Sequence, residues 1–294
     1  MRTRKTEIVQ SVNIRLNYKN FDSANNYKSH SGNGSLTIND STYFEGEKAV
    51  LFDMDGVIVH SVPYHEPAWF EFSQKYNPNL TRDQVNKIML GRTNKDILPE
   101  ILGKELSDEE IKKYSTEKEE IFLSLIAPEI KEVKGFTGFI KSLGNMKKTI
   151  ATAAPPMNID FILAKLKINS FFDKTKIVND SMVAKGKPNP EVYLKAAEKL
   201  GVEPKDCLVF EDSPSGIKAA KNAGMKVVGV ATTIPTDKLM SELQTDFAIN
   251  NFTEINMQKV NEILEGKESQ SVIEQVRGYL LGFCSFLTKK LSLS

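Results

Sequence analysis

A run of short apolar segments, each closed by a polar residue, constrains this chain more than any other feature. Lys48-Ala49-Val50-Leu51-Phe52-Asp53 is an apolar stretch ending in a carboxylate, the pattern of a parallel strand buried on both faces. Similar segments predict strands at 148–152, 176–178, 207–210, 227–230 and 247–249. Helical patterns alternate with them. One follows Pro156, one starts at Pro190 behind Asn189, and one covers 213–223 and ends at Gly224. Such alternation builds a parallel sheet with helices on both faces, an α/β, Rossmann-like core. Between about 60 and 133 the rhythm breaks and the pattern is helical throughout. Trp69, Phe70, Phe72 and Tyr76 fit one helix face, and Ser107 with Glu110 forms a capping box that opens a long helix to about residue 125. The expected organisation is therefore a core over 47–59 and 134–265, interrupted by an all-helical insert over 60–133. Ligands of open α/β sheets bind beyond the carboxyl ends of the strands. An insert leaving the first strand there overhangs that site.

The ends of the chain differ in character. Residues 1–46 are polar and rich in Asn and Ser, with a Gly32-Asn33-Gly34-Ser35 stretch of flexible-loop chemistry. They are expected to form an extension with one short strand near 12–16. The C-terminal stretch, 266–294, carries the apolar run 279–287. That run is half the length a membrane span needs and predicts a short helix docked on the core. The basic start Met1-Arg2-Thr3-Arg4-Lys5 is followed by no apolar segment, so no secretory signal is expected. An organellar presequence is the alternative to a cytoplasmic location. With 39 basic and 38 acidic residues among 294, the chain has no global bias toward nucleic acid. Two distant cysteines fit a reducing compartment. Those cysteines and three histidines are too few and too scattered for a zinc centre of the Cys/His kind, so any metal is expected to be held by oxygen. Nothing requires a partner subunit, and a monomer is expected.

Four predicted strand ends carry polar residues. Asp53-Met54-Asp55-Gly56 presents two carboxylates at i and i+2, which share a side in extended chain. The ordinary alternative is a solvated turn. Thr152 ends the second strand, and its hydroxyl could hold an anionic oxygen or satisfy its own backbone. Lys187, in Lys185-Gly186-Lys187-Pro188-Asn189-Pro190, could be a point charge for phosphate or a solvated loop lysine. Glu211 and Asp212 follow the third buried run. Adjacent acids there are tolerable if a cation sits between them and Asp53, and Mg²⁺ suits such oxygen donors. Asp212 could also cap the helix that follows.

In this order and at these strand ends, the four groups resemble the motifs of the haloacid dehalogenase superfamily over about residues 48–250. The similarity is nearest to its β-phosphoglucomutase-like subgroup, through Tyr64-His65-Glu66-Pro67-Ala68-Trp69 and Phe210-Glu211-Asp212-Ser213-Pro214-Ser215-Gly216. The resemblance implies an aspartyl-phosphate mechanism. Asp53 would attack phosphorus and Asp55 would serve as acid and base. Mg²⁺ would sit on Asp53, the carbonyl of Asp55, and Asp212, with Glu211 close by, and Thr152 and Lys187 would hold phosphoryl oxygens. Asp55, where the superfamily's ATPases have threonine, implies a phosphatase or mutase rather than a pump.

The resemblance also frames the choice of reaction. His65 occupies the position of a cap histidine in the mutases, with packing near Trp69 as the alternative. Lys118, four residues before Phe122, could match a sugar-contacting lysine, but its glutamate neighbours favour a surface residue. The mutases' phosphate-binding arginine would fall near Asn94; Arg92 could substitute as a substrate contact in the cap, though its register differs. Ala153-Ala154-Pro155-Pro156 stands where a mutase lysine is implied. The expectation is a Mg²⁺-dependent phosphatase for a small phosphorylated metabolite, a sugar phosphate. β-Phosphoglucomutase is the alternative, ahead of a pyrophosphatase or a non-catalytic binding protein.

Overall fold

The strand nearest the start of the described chain, β1 (Ala49–Phe52), is fully buried along its length. Its side chains alternate between two apolar layers: Val50 and Phe52 enter one, Ala49 and Leu51 the other. A strand apolar on both faces needs helices on both faces, and the fold supplies them. The structure, a computed structural model, describes residues 46–89 and 92–267. The expected N-terminal extension with its strand at 12–16, and the expected tail helix at 279–287, lie outside the described residues.

After β1 come four helices: α1 (Val62–Tyr76), α2 (Arg82–Met89), α3 (Asn94–Leu102) and α4 (Asp108–Ile126). The rest alternates: α5 (Phe136–Ser142), β2 (Lys147–Ile150), α6 (Pro156–Lys165), α7 (Glu191–Leu200), β3 (Cys207–Glu211), α8 (Pro214–Asn222), β4 (Lys226–Val230), α9 (Thr236–Ser241), β5 (Phe247–Ile249) and α10 (Met257–Leu264). The five strands form one parallel sheet in the order β2-β1-β3-β4-β5. The chain moves to one side of β1 for β2 and to the other for β3. This reversal of winding is the place where such sheets open a crevice.

Aromatic packing stiffens one layer beneath that crevice. Phe52 stacks on Phe210 at 5.2 Å and meets Phe136 edge-on at 5.3 Å. The inserted helices have their own apolar cluster, which includes Trp69, Phe72, Val85, Ile97, Leu98 and Ile101. The chain reaches and leaves them through two adjacent linkers, tied by His60 N–H to Lys131 O at 3.0 Å and Val133 N–H to Ile58 O at 2.9 Å. The capping box is present: Ser107 Oγ accepts from Glu110 N–H, and the Glu110 carboxylate accepts from Ser107 N–H. No described helix is long and apolar enough to cross a membrane.

Several local expectations are corrected. Residues 176–178 form no strand. A turn closed by the Asp173 carboxylate on Thr175 N–H occupies 174–176, and Val178 makes only an isolated bridge to Ala151. Pro190 caps α7 from outside, with Asn189 Oδ1 accepting from Glu191 N–H. Helix α8 is capped by Ser213 Oγ, which accepts from Gly216 N–H at 3.1 Å, so Asp212 is left for another task. The short helices α5, α9 and α10 are not among the elements expected from the sequence.

Candidate active site

Asp53 follows β1 and Asp212 follows β3, so the sheet brings their backbones side by side: Asp53 N–H donates to Phe210 O at 3.0 Å. Glu211, the last residue of β3, lies between them and is fully buried. One carboxylate oxygen from each of Asp53, Glu211 and Asp212 lies within 4.8 Å of the other two. Lys187 arrives from the loop before α7 and bonds to Asp53 Oδ1 at 2.9 Å and Glu211 Oε1 at 2.7 Å. The solvated-lysine alternative is thereby excluded. Burial lowers the tendency of this ammonium to stay charged, but Asp53 and Glu211 more than compensate and hold its pKa well above the ordinary value.

Glu211 is a scaffold for the others. Its Oε1 accepts from Lys187 and from Tyr193 Oη at 2.8 Å; its Oε2 accepts from Asp212 N–H, Ser213 N–H and Ser213 Oγ. Burial works against its ionised form, yet Lys187 and these donors bring its pKa below the usual carboxylate range. Asp53 and Asp212 fare otherwise. Burial first, then Glu211 and Asp55 against the opposing pull of Lys187, push Asp53 up to about 7. Burial, Glu211 and Asp53 push Asp212 up to about 8.

This donor set fits a hard divalent cation. Three buried carboxylates face a single ammonium, and two of them ionise reluctantly until further positive charge arrives. The surrounding backbone is shaped for close approach. Gly56 has φ +73°, and a Cβ there would fall 2.0 Å from Asp212 Oδ2. Thr232 Oγ1 bonds to Gly56 O at 2.6 Å and lies 3.3 Å from Asp212 Oδ2, tying the two acidic loops together. Thr233 Oγ1 donates to Asp212 O.

Asp55 turns away from this cluster toward the helices. Its Oδ1 accepts from Ser61 Oγ and lies 3.5 Å from His65 Nε2. Ser61 precedes α1 yet gives that helix no side-chain cap, because its hydroxyl serves Asp55. Burial pushes Asp55 up, but His65, Ser61 and Lys118 outweigh it and hold its pKa below the ordinary value. The expectation for the metal involves the Asp55 backbone carbonyl, and its side chain is engaged by Ser61 and His65 instead.

The remaining sequence candidates divide. Thr152 is buried, and its Oγ1 accepts from Ala154 N–H at 3.1 Å, so its backbone alternative is realised while the hydroxyl can still donate. His65 stacks on Phe122 at 4.4 Å and 9°. Trp69 is buried edge-on against Phe72. Lys118 is corrected most sharply: it is 3% exposed, lies over the rings of Trp69 and Phe122 at 5.0 and 5.4 Å, and pairs with Glu119 at 3.0 Å. Arg92 is corrected in the other direction. It turns to Glu100 and to the carbonyls of Ile88 and Asp96, fastening α2 to α3. Sequence reasoning missed Ser61, Tyr193, Thr232 and Thr233. The threonines follow the carboxyl end of β4, and the strand-end rule that found Asp53 would have found them.

Comparison with known proteins agrees with this geometry. The family model described as haloacid dehalogenase-like hydrolase matches residues 50–230. A phosphorylated carbohydrates phosphatase of Thermotoga maritima is 34% identical over 198 residues, 66% of this chain and 90% of its own. A beta-phosphoglucomutase of Bacillus subtilis is 32% identical over 225 residues, 73% of this chain and 94% of its own. Among solved structures, a HAD hydrolase of family IA, variant 3, from Entamoeba histolytica superposes with a TM-score of 0.68 at 36% identity, covering 74% of this chain and 99% of that one.

Proposed function

The chain belongs to the haloacid dehalogenase-like hydrolases, and on that premise we propose that it is a Mg²⁺-dependent phosphatase for a small phosphorylated metabolite, a sugar phosphate. One observation carries the reading. Two aspartates two residues apart have opposite surroundings: Asp53 faces Lys187 and the acids, Asp55 faces Ser61, His65 and Lys118. Without cation or substrate these surroundings leave Asp55 the stronger acid of the two. A cation beside Asp53 would lower its pKa and a phosphate dianion beside Asp55 would raise that of Asp55, the order that a nucleophile and a proton donor require.

In the first half-reaction a carboxylate oxygen of Asp53 bonds to phosphorus and the bond from phosphorus to the sugar oxygen breaks. That oxygen needs a proton. Asp55, carrying a proton once substrate is bound, delivers it and is left as the carboxylate, with His65 Nε2 3.5 Å from its Oδ1. In the second half Asp55 takes a proton from water, the water oxygen bonds to phosphorus, and Asp53 leaves with its carboxylate restored. Lys187 has three N–H donors, so it can keep Asp53 and Glu211 and still reach a phosphoryl oxygen, with Thr152 opposite. Asp53 and Asp212 would hold Mg²⁺, with Glu211 behind them; when bound, the cation offsets the repulsion between an anionic nucleophile and an anionic phosphate.

The test is phosphate release from a Mg²⁺-supplemented panel of hexose and pentose phosphates and pyrophosphate, with Asp53→Asn beside the wild type. Turnover by the wild type that vanishes in the variant supports the reading; equal turnover by both contradicts it. A second reading, the mutase, is favoured by His65 stacked on Phe122 beside Asp55 and by the similarity to the Bacillus subtilis enzyme. Against it, Asn94 is bonded to Glu119 where an arginine is implied, and residues 153–156 carry no lysine. Conversion of β-glucose 1-phosphate to glucose 6-phosphate without phosphate release would decide for the mutase.

A further inference from the structure

A second polar cluster lies beside the first, and nothing in the chemistry above uses all of it. Glu119, on α4, is 5% exposed. Its Oε1 accepts from Lys118 Nζ at 3.0 Å and from Asn94 Nδ2, at the start of α3, at 3.2 Å. Its Oε2 accepts from Asn158 Nδ2 at 2.8 Å. Asn158 belongs to α6, the core helix that begins four residues after Thr152. One buried carboxylate therefore joins two inserted helices to the core helix behind the second strand end.

Two features mark this contact as more than filling. A buried ion pair is weak evidence for stability, since an apolar pair of similar size often does as well, and it is most useful where one arrangement must be chosen over another. Asn158 is also buried with its Oδ1 unpartnered among the described residues. An orphaned buried carbonyl is costly, so the side chain is explained by its N–H₂, and the bond that group makes is the one to Glu119. The same carboxylate holds Lys118, whose ammonium lies over Trp69 and Phe122; Phe122 stacks on His65, and His65 Nε2 lies 3.5 Å from Asp55 Oδ1.

We propose that Glu119 is a positioning residue: through Asn158 it registers the inserted helices on the core, and through Lys118 it holds the Trp69, Phe122 and His65 rings that border Asp55. This rests on the phosphatase reading and adds to it a specificity device. A substrate with a hydroxylated body depends on the registered arrangement, whereas acetyl phosphate, which has no such body, depends on it little.

The experiment reverses the polarity of the contact. Asn158→Asp sets a second carboxylate against Glu119. Combining it with Glu119→Gln restores a donor facing an acceptor, because the new amide N–H₂ can face the new carboxylate while its oxygen still accepts from Lys118. For the sugar phosphate that the wild type turns over best, Asn158→Asp should lower kcat/KM at least about tenfold, mainly through KM, because fewer molecules hold the competent arrangement. Acetyl phosphate turnover should change much less. The double variant should recover most of the loss. Hydrogen exchange at residues 115–122 should rise in Asn158→Asp and fall back in the double variant. Asn158→Leu, which removes the donor without adding charge, should show a smaller loss of the same kind and keeps the test open if the charged variant does not fold. Equal losses for both substrates, or no recovery in the double variant, would overturn the proposal. If the wild type hydrolyses no phosphate ester, the phosphatase reading fails on its own, and the exchange measurement still decides whether Glu119 registers the helices.

Discussion

Replacing Asp212 by asparagine should stabilise the protein without a cation and remove its response to one. Asp212 is 3% exposed and pushed up to about 8 by burial, Glu211 and Asp53. An unfolded aspartate titrates near 3.9. Between those values the folded chain binds the proton and the unfolded chain does not, so the stability of the cation-free protein falls as pH rises from about 4 to about 8. The slope from one such group is at most about 1.4 kcal/mol per pH unit. At pH 7 the accumulated cost is roughly 4 kcal/mol as an upper bound. Asparagine keeps the shape and has no such slope. Asp53, pushed up to about 7, adds a slope of its own in both proteins, so the informative quantity is the difference. In chelator at pH 7.5, Asp212→Asn should therefore melt above the wild type by roughly 5–15 °C, at about 2–4 °C per kcal/mol for domains of this size. With Mg²⁺ at 100 times its dissociation constant the wild type should gain about 2.7 kcal/mol and the variant far less. Thermal melts across pH 5–8, with chelator and with Mg²⁺, measure both. A variant that melts below the wild type in chelator, or equal Mg²⁺ shifts in the two proteins, would refute the assignment of Asp212 as a strained cation ligand.

Tyr193→Phe removes the hydroxyl that bonds to Glu211 Oε1 in a fully buried setting; denaturant unfolding should show a loss of about 1.5–3 kcal/mol, and kcat should fall as Glu211 and Lys187 lose a shared support. Gly216→Ala places a Cβ 1.6 Å from Glu211 Oε1 and 2.0 Å from its Cδ. The carboxylate must move off Lys187 and Tyr193, so urea melts should show a cost of about 1–3 kcal/mol together with weakened Mg²⁺ activation. Thr232→Val keeps the volume but cuts the link between Gly56 O and Asp212 Oδ2; calorimetric titration should show Mg²⁺ affinity reduced roughly tenfold, with little change in the apo melting temperature.

The acidic turn at Asp53 was legible because its signal is local: a doubly buried strand, two carboxylates, and a glycine whose positive φ the turn requires. Thr152, Glu211 and Asp212 were legible by position, at or just beyond the ends of the strands that the sheet lays beside β1. Lys187 was legible through the resemblance, because the run at 176–178 before it forms no strand. Lys118 misled because its sequence neighbours Glu117, Glu119 and Glu120 suggest a solvated face, while the phenylalanine four residues on marks the face it really shares. Arg92 misled in the opposite sense, since a cation in a loop has no sequence signature that separates helix fastening from ligand binding. The division of labour between Asp53 and Asp55 could not be read from spacing, because it depends on Ser61, His65 and Lys118 arriving from the inserted helices. The bond between Glu119 and Asn158 joins helix positions 39 residues apart in sequence and leaves no pattern in either helix.

The account stands or falls on Asp53 as the group that takes the phosphoryl group. Acid quenching of a single turnover on a reactive phosphate substrate, followed by peptide mass analysis, measures this directly. The peptide that carries Asp53 should gain the mass of one phosphoryl group, the adduct should be absent in Asp53→Asn, and hydroxylamine should cleave it as it cleaves acyl phosphates, releasing phosphate and leaving a hydroxamate on Asp53. Turnover with no adduct on that peptide, or an adduct on another residue that survives Asp53→Asn, would contradict the central claim.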